Sequence, residues 1–157
     1  MSAAEKMIQV LFYAFEETFE KVQGVYLDKG TSLFETLAGI SAEVASTPVG
    51  TSCATIAAHV EHMRFYIDIL EQFIHSNPPK DVDWKHIWNT VSAVTPDEWA
   101  ASIQRLRASY ERVLKGLKAR TEWDGNDDFG GAFAIVVHTA YHLGEIRQAL
   151  CTVGGER

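Results

Sequence analysis

The sequence predicts an all-α fold, on the evidence of its length, its composition and the spacing of its apolar residues. The chain has 157 residues, of which 46% are hydrophobic and 22% charged, as in an ordinary globular domain. Apolar residues recur every three or four positions in four long segments, and none alternates with the two-residue period of a strand. We therefore expect residues 1–157 to form one domain, a four-helix bundle with short extra helices.

The first helix is predicted between about residues 4 and 27. Its apolar residues form two adjacent stripes, one starting at Met7 and the other at Ile8. A helix that is apolar over more than one face usually packs against more than one neighbour. The pattern therefore indicates a helix that packs into the bundle and also against a second copy of the chain, in a homodimer.

The second long helix is predicted after a short amphipathic piece at residues 33–40. Thr51 or Ser52 can cap it, and it runs to about His75, before two prolines. Trp84 and Trp88 then recur with helical spacing, which predicts a short helix in the long connection that follows. This connection is a candidate cover for the open end of a site.

The third long helix has the clearest start signal, because residues 95–98 supply a capping hydroxyl, a proline at the first helical position and a carboxylate at the third.

The net charge of -7 leaves no overall basic surface to bind nucleic acid, so we expect no nucleic-acid partner. The basic cluster on the third long helix is interpreted as a solvated face; it comprises Arg105, Arg107, Arg112, Lys115, Lys118 and Arg120.

The chain is expected to be cytoplasmic, without a membrane partner. The apolar run from Met7 to Phe15 is too short to span a bilayer, and it lacks the basic flank of a signal peptide.

The spacing of Cys53 and Cys151 matches neither a disulfide framework nor a metal-binding motif. We interpret both cysteines as small buried hydrophobic residues.

Two histidines on the last predicted helix, which runs to about residue 152, are the strongest indication of chemistry. His138 and His142 are four residues apart, so their imidazoles lie one turn apart on the same face and can bind one metal ion. His59 on the second long helix is the candidate third ligand, and His62 is a rival for that place. The other two histidines, His75 and His86, are interpreted as surface residues.

Three imidazoles in a helical bundle suit a divalent zinc, nickel or iron ion and leave one coordination position open. In catalytic sites that position holds water or a substrate atom such as a thiolate sulfur. Glu145 follows His142 by one turn, and we expect it to hold a histidine N–H or to be a surface acid. The alternative is that each histidine is simply a packed, hydrogen-bonded core residue.

The order of these motifs resembles that of the DinB-like superfamily, which includes the YfiT-type proteins. The resemblance lies in an amphipathic first helix, in His59 early in the second long helix, and in the pattern His-x-x-x-His-x-Gly-x-Ile from His138 to Ile146. The segment from Ser32 to Ser46 is also similar to the connection found there. One departure is Glu145, where glutamine is common.

The resemblance implies a four-helix bundle with up-down-down-up connectivity, frequent homodimers, and a metal held by His59, His138 and His142. It implies a metal-dependent enzyme of the thiol-dependent transferase or hydrolase type, acting on a small molecule with a thiol such as bacillithiol, mycothiol or glutathione. A second possibility is a non-catalytic binding module, stress-related, whose histidine cluster is structural or vestigial. Gly144, on the opposite side of the turn from the ligands, would reflect close helix packing rather than chemistry.

Overall fold

The computed structural model describes residues 1–154, which form seven α-helices and no β-strand. The predicted all-α class is therefore confirmed for this part of the chain. Four helices have more than 15 residues and three are short. The helices are α1 (Ala3–Phe19), α2 (Leu33–Leu37), α3 (Ala42–Ala45), α4 (Ile56–Ile74), α5 (His86–Thr90), α6 (Pro96–Lys118) and α7 (Asp127–Val153).

Helix α1 ends eight residues earlier than predicted, because a buried carboxylate folds the following segment back on the helix. Glu17 is fully buried and accepts backbone N–H groups from four residues of that segment: Gln23, Val25, Tyr26 and Leu27. Burial alone would raise the pKa of Glu17, but the four N–H donors lower it from 4.5 to about 2. Residues 20–27 therefore form a loop around a carboxylate instead of two more helical turns.

Capping side chains mark the starts of α4 and α6. Thr55, rather than Thr51 or Ser52, caps α4, and its hydroxyl also donates to the backbone carbonyl of Ser92. The predicted start of α6 is confirmed, with Thr95 in a complete capping box. The short helix predicted in the long connection is α5, which carries Trp88.

Helix α4 lies between α6 and α7 and packs most extensively against these two helices. Its residues facing α7 include His59 and His62, which contact the histidines of that helix. A different face carries acids that pair with α6: Glu61 with Arg105, and Asp68 with Arg112. Both arginines are exposed, as expected for a solvated face, and ion pairs to α4 also orient them.

The hydrophobic core is continuous among the long helices, with α2 and α3 packed against it. Its largest fully buried side chains are Phe15, Phe19, Leu33, Leu37, Ile56, Met63, Ile67, Leu106, Leu117, Ile135, Leu143 and Ile146. Among residues 1–154, no helix has an apolar stretch long enough to cross a bilayer.

The prediction that the two cysteines are buried is wrong. Cys53 lies before the start of α4 and Cys151 lies on α7, and both are exposed.

Candidate metal centre

Four histidine rings converge between α4 and α7. His138 and His142 lie one turn apart on α7, with ring centroids 4.5 Å apart. His59 and His62 lie on the face of α4 opposite them, 5.2 and 4.9 Å from the ring of His142. The helical spacing predicted for the α7 pair therefore brings the two rings together, and both candidate α4 histidines reach the same ring.

The possible metal ligands form two groups that share His142. One group contains His62, His138 and His142, and the other contains His59, His142 and Glu145. Within each group the ligand atoms lie within 4.8 Å of one another. Of the three ligands predicted from the sequence, His59 and His138 therefore each share a group with His142, but not with one another.

Glu145 fixes the hydrogen-bonding state of His142. Its Oε2 lies 2.7 Å from Nδ1 of His142 and 3.5 Å from Nδ1 of His59. An ionised carboxylate only accepts hydrogen bonds, so His142 donates through Nδ1–H and keeps a lone pair on Nε2. The contact matches the first of the two roles expected for Glu145, that of holding a histidine N–H.

Burial lowers the pKa of all four histidines from the ordinary value of 6.5. For His138 and His142 the pKa falls to about 3, because burial is reinforced by neighbouring imidazoles. The charge of Glu145 opposes the shift at His59, His62 and His138 but does not overcome it. At neutral pH the four rings are thus uncharged, which is the state in which imidazole binds metals.

Two buried nitrogens of the cluster lack a hydrogen-bond partner: Nε2 of His142 and Nδ1 of His62. A buried polar atom left unpaired costs about 1–3 kcal/mol, so most such atoms have partners. A divalent cation would satisfy a nitrogen that carries a lone pair, such as Nε2 of His142. The neutral imidazoles and the unpaired nitrogen therefore fit a borderline divalent metal, and the cluster can hold one.

Aromatic side chains hold two of the rings in place. Tyr66 stacks on His138, with ring centroids 3.6 Å apart and planes at 14°. Trp88 of α5 lies 4.2 Å from the ring of His62 and also contacts His59. Of the two tryptophans expected near the site, Trp88 contacts the histidines directly, whereas Trp84 packs against Tyr66.

Sequence reasoning missed the roles of Tyr66 and Tyr141. Tyr66 follows His62 by four residues and so lies on the same face of α4, a spacing that could have identified it. Tyr141 hydrogen-bonds to Glu145, and this bond raises the pKa of the Tyr141 hydroxyl. His75 and His86 are exposed, as predicted.

A cleft of about 810 Å³ opens beside the cluster. His59, His142 and Glu145 form part of its wall, together with the exposed Cys53. Gly144 also lines the cleft, and a side chain there would meet no atom within 4 Å. The explanation of Gly144 by close helix packing is therefore wrong. The cleft gives a small molecule access to the His59 and Glu145 side of the cluster.

The comparisons with known proteins add no relative: no family model, curated protein or solved structure matches the chain.

Proposed function

We propose that this chain is a metal-dependent enzyme of the thiol-dependent transferase or hydrolase type, and a member of the DinB-like superfamily with its up-down-down-up four-helix bundle. The observation that carries the proposal is a cluster of uncharged, metal-capable histidines beside an open cleft. A histidine buried only for structural reasons would not need three others around it. The order of motifs from α1 to α7 supports the family assignment.

The metal is a divalent ion, zinc or nickel first and iron next, bound by His138 and His142 of α7 with a histidine of α4. The resemblance gives His59 as that third ligand, and His62 lies within reach of the same ring of His142. When bound, such an ion supplies Lewis-acid chemistry and lowers the pKa of a water or thiol at its open position. Glu145 orients His142 by accepting its Nδ1–H.

The substrate is a small molecule that enters the cleft, with a low-molecular-weight thiol as the natural co-substrate. The cleft wall is mainly apolar, with a few polar groups from Glu145, Gln148 and Thr152. Such a lining suits a compact electrophile with an apolar body. Trp88 packs on the α4 histidines at the cleft and limits how much water reaches them. A cytoplasmic location would supply the reduced thiol.

The homodimer forms through an apolar face shared by α1 and α7. Met7 and Val10 on α1 are 60% and 55% exposed, and Phe133 and Val137 on α7 are 55% and 49% exposed. Met7, Val10 and Phe133 line a groove of about 340 Å³ between the two helices. Large contiguous apolar patches on a surface usually mark an interaction site. This face corresponds to the apolar stripe of the first helix that starts at Met7.

The deciding experiment is elemental analysis with an X-ray edge scan on protein purified without a nickel column. We expect about one equivalent of zinc, nickel or iron, and its loss in a His142→Ala variant that keeps its helical circular dichroism. Protein that cannot bind any of these ions would contradict the proposal. A panel of thiols and electrophiles then tests catalysis, and metal without turnover would favour the non-catalytic binding module.

A further inference from the structure

The two ligand groups of the cluster are not equivalent, because they use the two nitrogens of His142 differently. In the outer group, Nδ1 of His142 lies 3.1 Å from Nδ1 of His59 and 2.7 Å from Glu145. In the inner group, Nε2 of His62 lies 3.1 Å from Nε2 of His138, and His142 completes the set. A single metal ion must therefore occupy one position or the other.

A metal in the outer position would leave an unpaired donor inside the protein. Nδ1 of His142 would have to coordinate the ion, so its proton would move to Nε2, which is buried and has no acceptor. An unsatisfied buried N–H costs about 1–3 kcal/mol. The short hydrogen bond from Nδ1–H to Glu145 would also be lost.

A metal in the inner position leaves no atom of His142 unpaired. Nδ1–H continues to donate to Glu145, and the lone pair on Nε2 binds the ion. Coordination through Nε2 of His62 places the proton of that ring on Nδ1, which is buried and has no acceptor. The inner position therefore also carries one unpaired donor, and what favours it is that the bond from His142 to Glu145 is kept. For zinc bonds of about 2.0–2.1 Å, tetrahedral nitrogen ligands lie about 3.3–3.4 Å apart. The 3.1 Å between His62 and His138 is close to this spacing, as is the 3.1 Å between His59 and His142, so this distance fits a zinc ion at either position.

Each ring of the inner group is also held by a neighbour that is not a ligand. Tyr66 stacks on His138, Trp88 packs on His62, and Glu145 accepts the hydrogen bond from His142. Metal-binding histidines commonly donate their second N–H to such a carboxylate. Both His62 and His142 are buried, so the rings have little freedom to turn away.

We infer that His62, not His59, is the α4 ligand, and that the metal is bound by three neutral imidazoles from His62, His138 and His142 while Glu145 acts as a positioning residue. This inference rests on the proposed metal-dependent function. An all-nitrogen set without a carboxylate selects zinc, nickel, copper or cobalt over magnesium, calcium or manganese. His59 then remains in the cleft wall, beside the ion but not bound to it.

The test compares His59→Ala with His62→Ala, two single changes three residues apart on α4. Metal-free protein is titrated with Co²⁺, and stoichiometry, affinity and the visible spectrum are measured. We expect the wild type and His59→Ala to bind one equivalent with affinities within about tenfold, and His62→Ala to bind more than about 100-fold more weakly. Because His62 is buried, His62→Gln serves as a second variant that keeps more of its volume.

Glu145→Gln provides the readout that separates positioning from coordination. The glutamine carbonyl still accepts Nδ1–H of His142, so we expect one equivalent of Co²⁺ with unchanged absorption bands. A ligand exchange at Glu145 would shift those bands. Retention of Co²⁺ in both folded His62 variants, or its loss in folded His59→Ala, would overturn the inference while leaving the proposed function intact. A wild-type protein that binds no metal would overturn both.

Discussion

Replacing Glu17 with glutamine should destabilise the fold strongly at neutral pH, because its carboxylate holds the loop after α1. A pKa lowered from 4.5 to about 2 corresponds to roughly 3 kcal/mol of stability at pH 7. A count of hydrogen bonds leads to a similar magnitude. The carboxylate accepts four partly buried N–H groups, two per oxygen, whereas the amide nitrogen of glutamine would face two of them without accepting. Two donors left without an acceptor cost up to about 2–6 kcal/mol.

The stabilisation by Glu17 should depend on pH, in the direction that its lowered pKa sets. Because the folded-state pKa of Glu17 lies below that of the unfolded chain, the stabilisation is present above pH 4.5 and is lost as the pH falls from 4.5 towards 2. Urea unfolding of the wild type and of Glu17→Gln should therefore differ by about 3 kcal/mol at pH 7. The difference should shrink steadily below pH 4.5.

The neighbouring Glu16→Gln is a matched control. Glu16 makes a partly exposed ion pair with Lys118, and such pairs contribute about 0–1 kcal/mol. We expect this variant to unfold at nearly the wild-type urea concentration. If Glu17→Gln differs from the wild type by less than 1 kcal/mol, or by the same amount at pH 7 and pH 3, the account of the loop is refuted.

Three further predictions concern packing. Gly131→Ala should lower the free energy of unfolding by about 1–3 kcal/mol, because its new methyl group would lie 2.8 Å from Ile74. Gly144→Ala on the same helix should raise the free energy of unfolding by up to about 1 kcal/mol, because a methyl group there meets no other atom. Urea unfolding that finds Gly131→Ala more stable than Gly144→Ala would contradict this. Trp99→Phe should lower the free energy of unfolding by at least about 1 kcal/mol, because the indole N–H of Trp99 donates to the buried carbonyl of Ile40 at 2.7 Å. An unchanged melting temperature in thermal unfolding would argue against that bond. Val10→Lys should convert the proposed dimer into a monomer in sedimentation velocity, and a wild type that is monomeric at all concentrations would remove the dimer proposal.

The helices could be predicted from the sequence because periodicity and caps are local signals. The start of α6 follows from residues 95–98, and the structure agrees. The end of α1 could not be predicted, since Glu17 looks like an ordinary surface acid until the loop is seen to fold over it. Local propensity favoured a longer helix, and a tertiary contact overrode it.

The candidate site was predictable in part for a similar reason. The pairing of His138 with His142 depends only on helical spacing, and both rings meet as expected. Which of His59 and His62 forms a ligand group with both α7 histidines depends on the rotation of α4 about its own axis, which no local pattern specifies. The contacts of Tyr66 and Trp88 depend on how α5 and α7 pack against α4, so they emerge only in the folded structure.

Ion pairs on a face of α4 away from the histidines tie this helix to α6. Its acids are tied to arginines of α6, and Arg112 bridges both Asp68 and Glu71. Adjacent residues on a helix are 100° apart, so a small turn of α4 would swing both of its imidazoles relative to α7. Concentrated salt weakens partly exposed ion pairs. Weakening of these pairs should therefore loosen the position of the α4 imidazoles and lower the metal affinity of the proposed site, in addition to the direct screening by salt of the attraction between the cation and the Glu145 carboxylate.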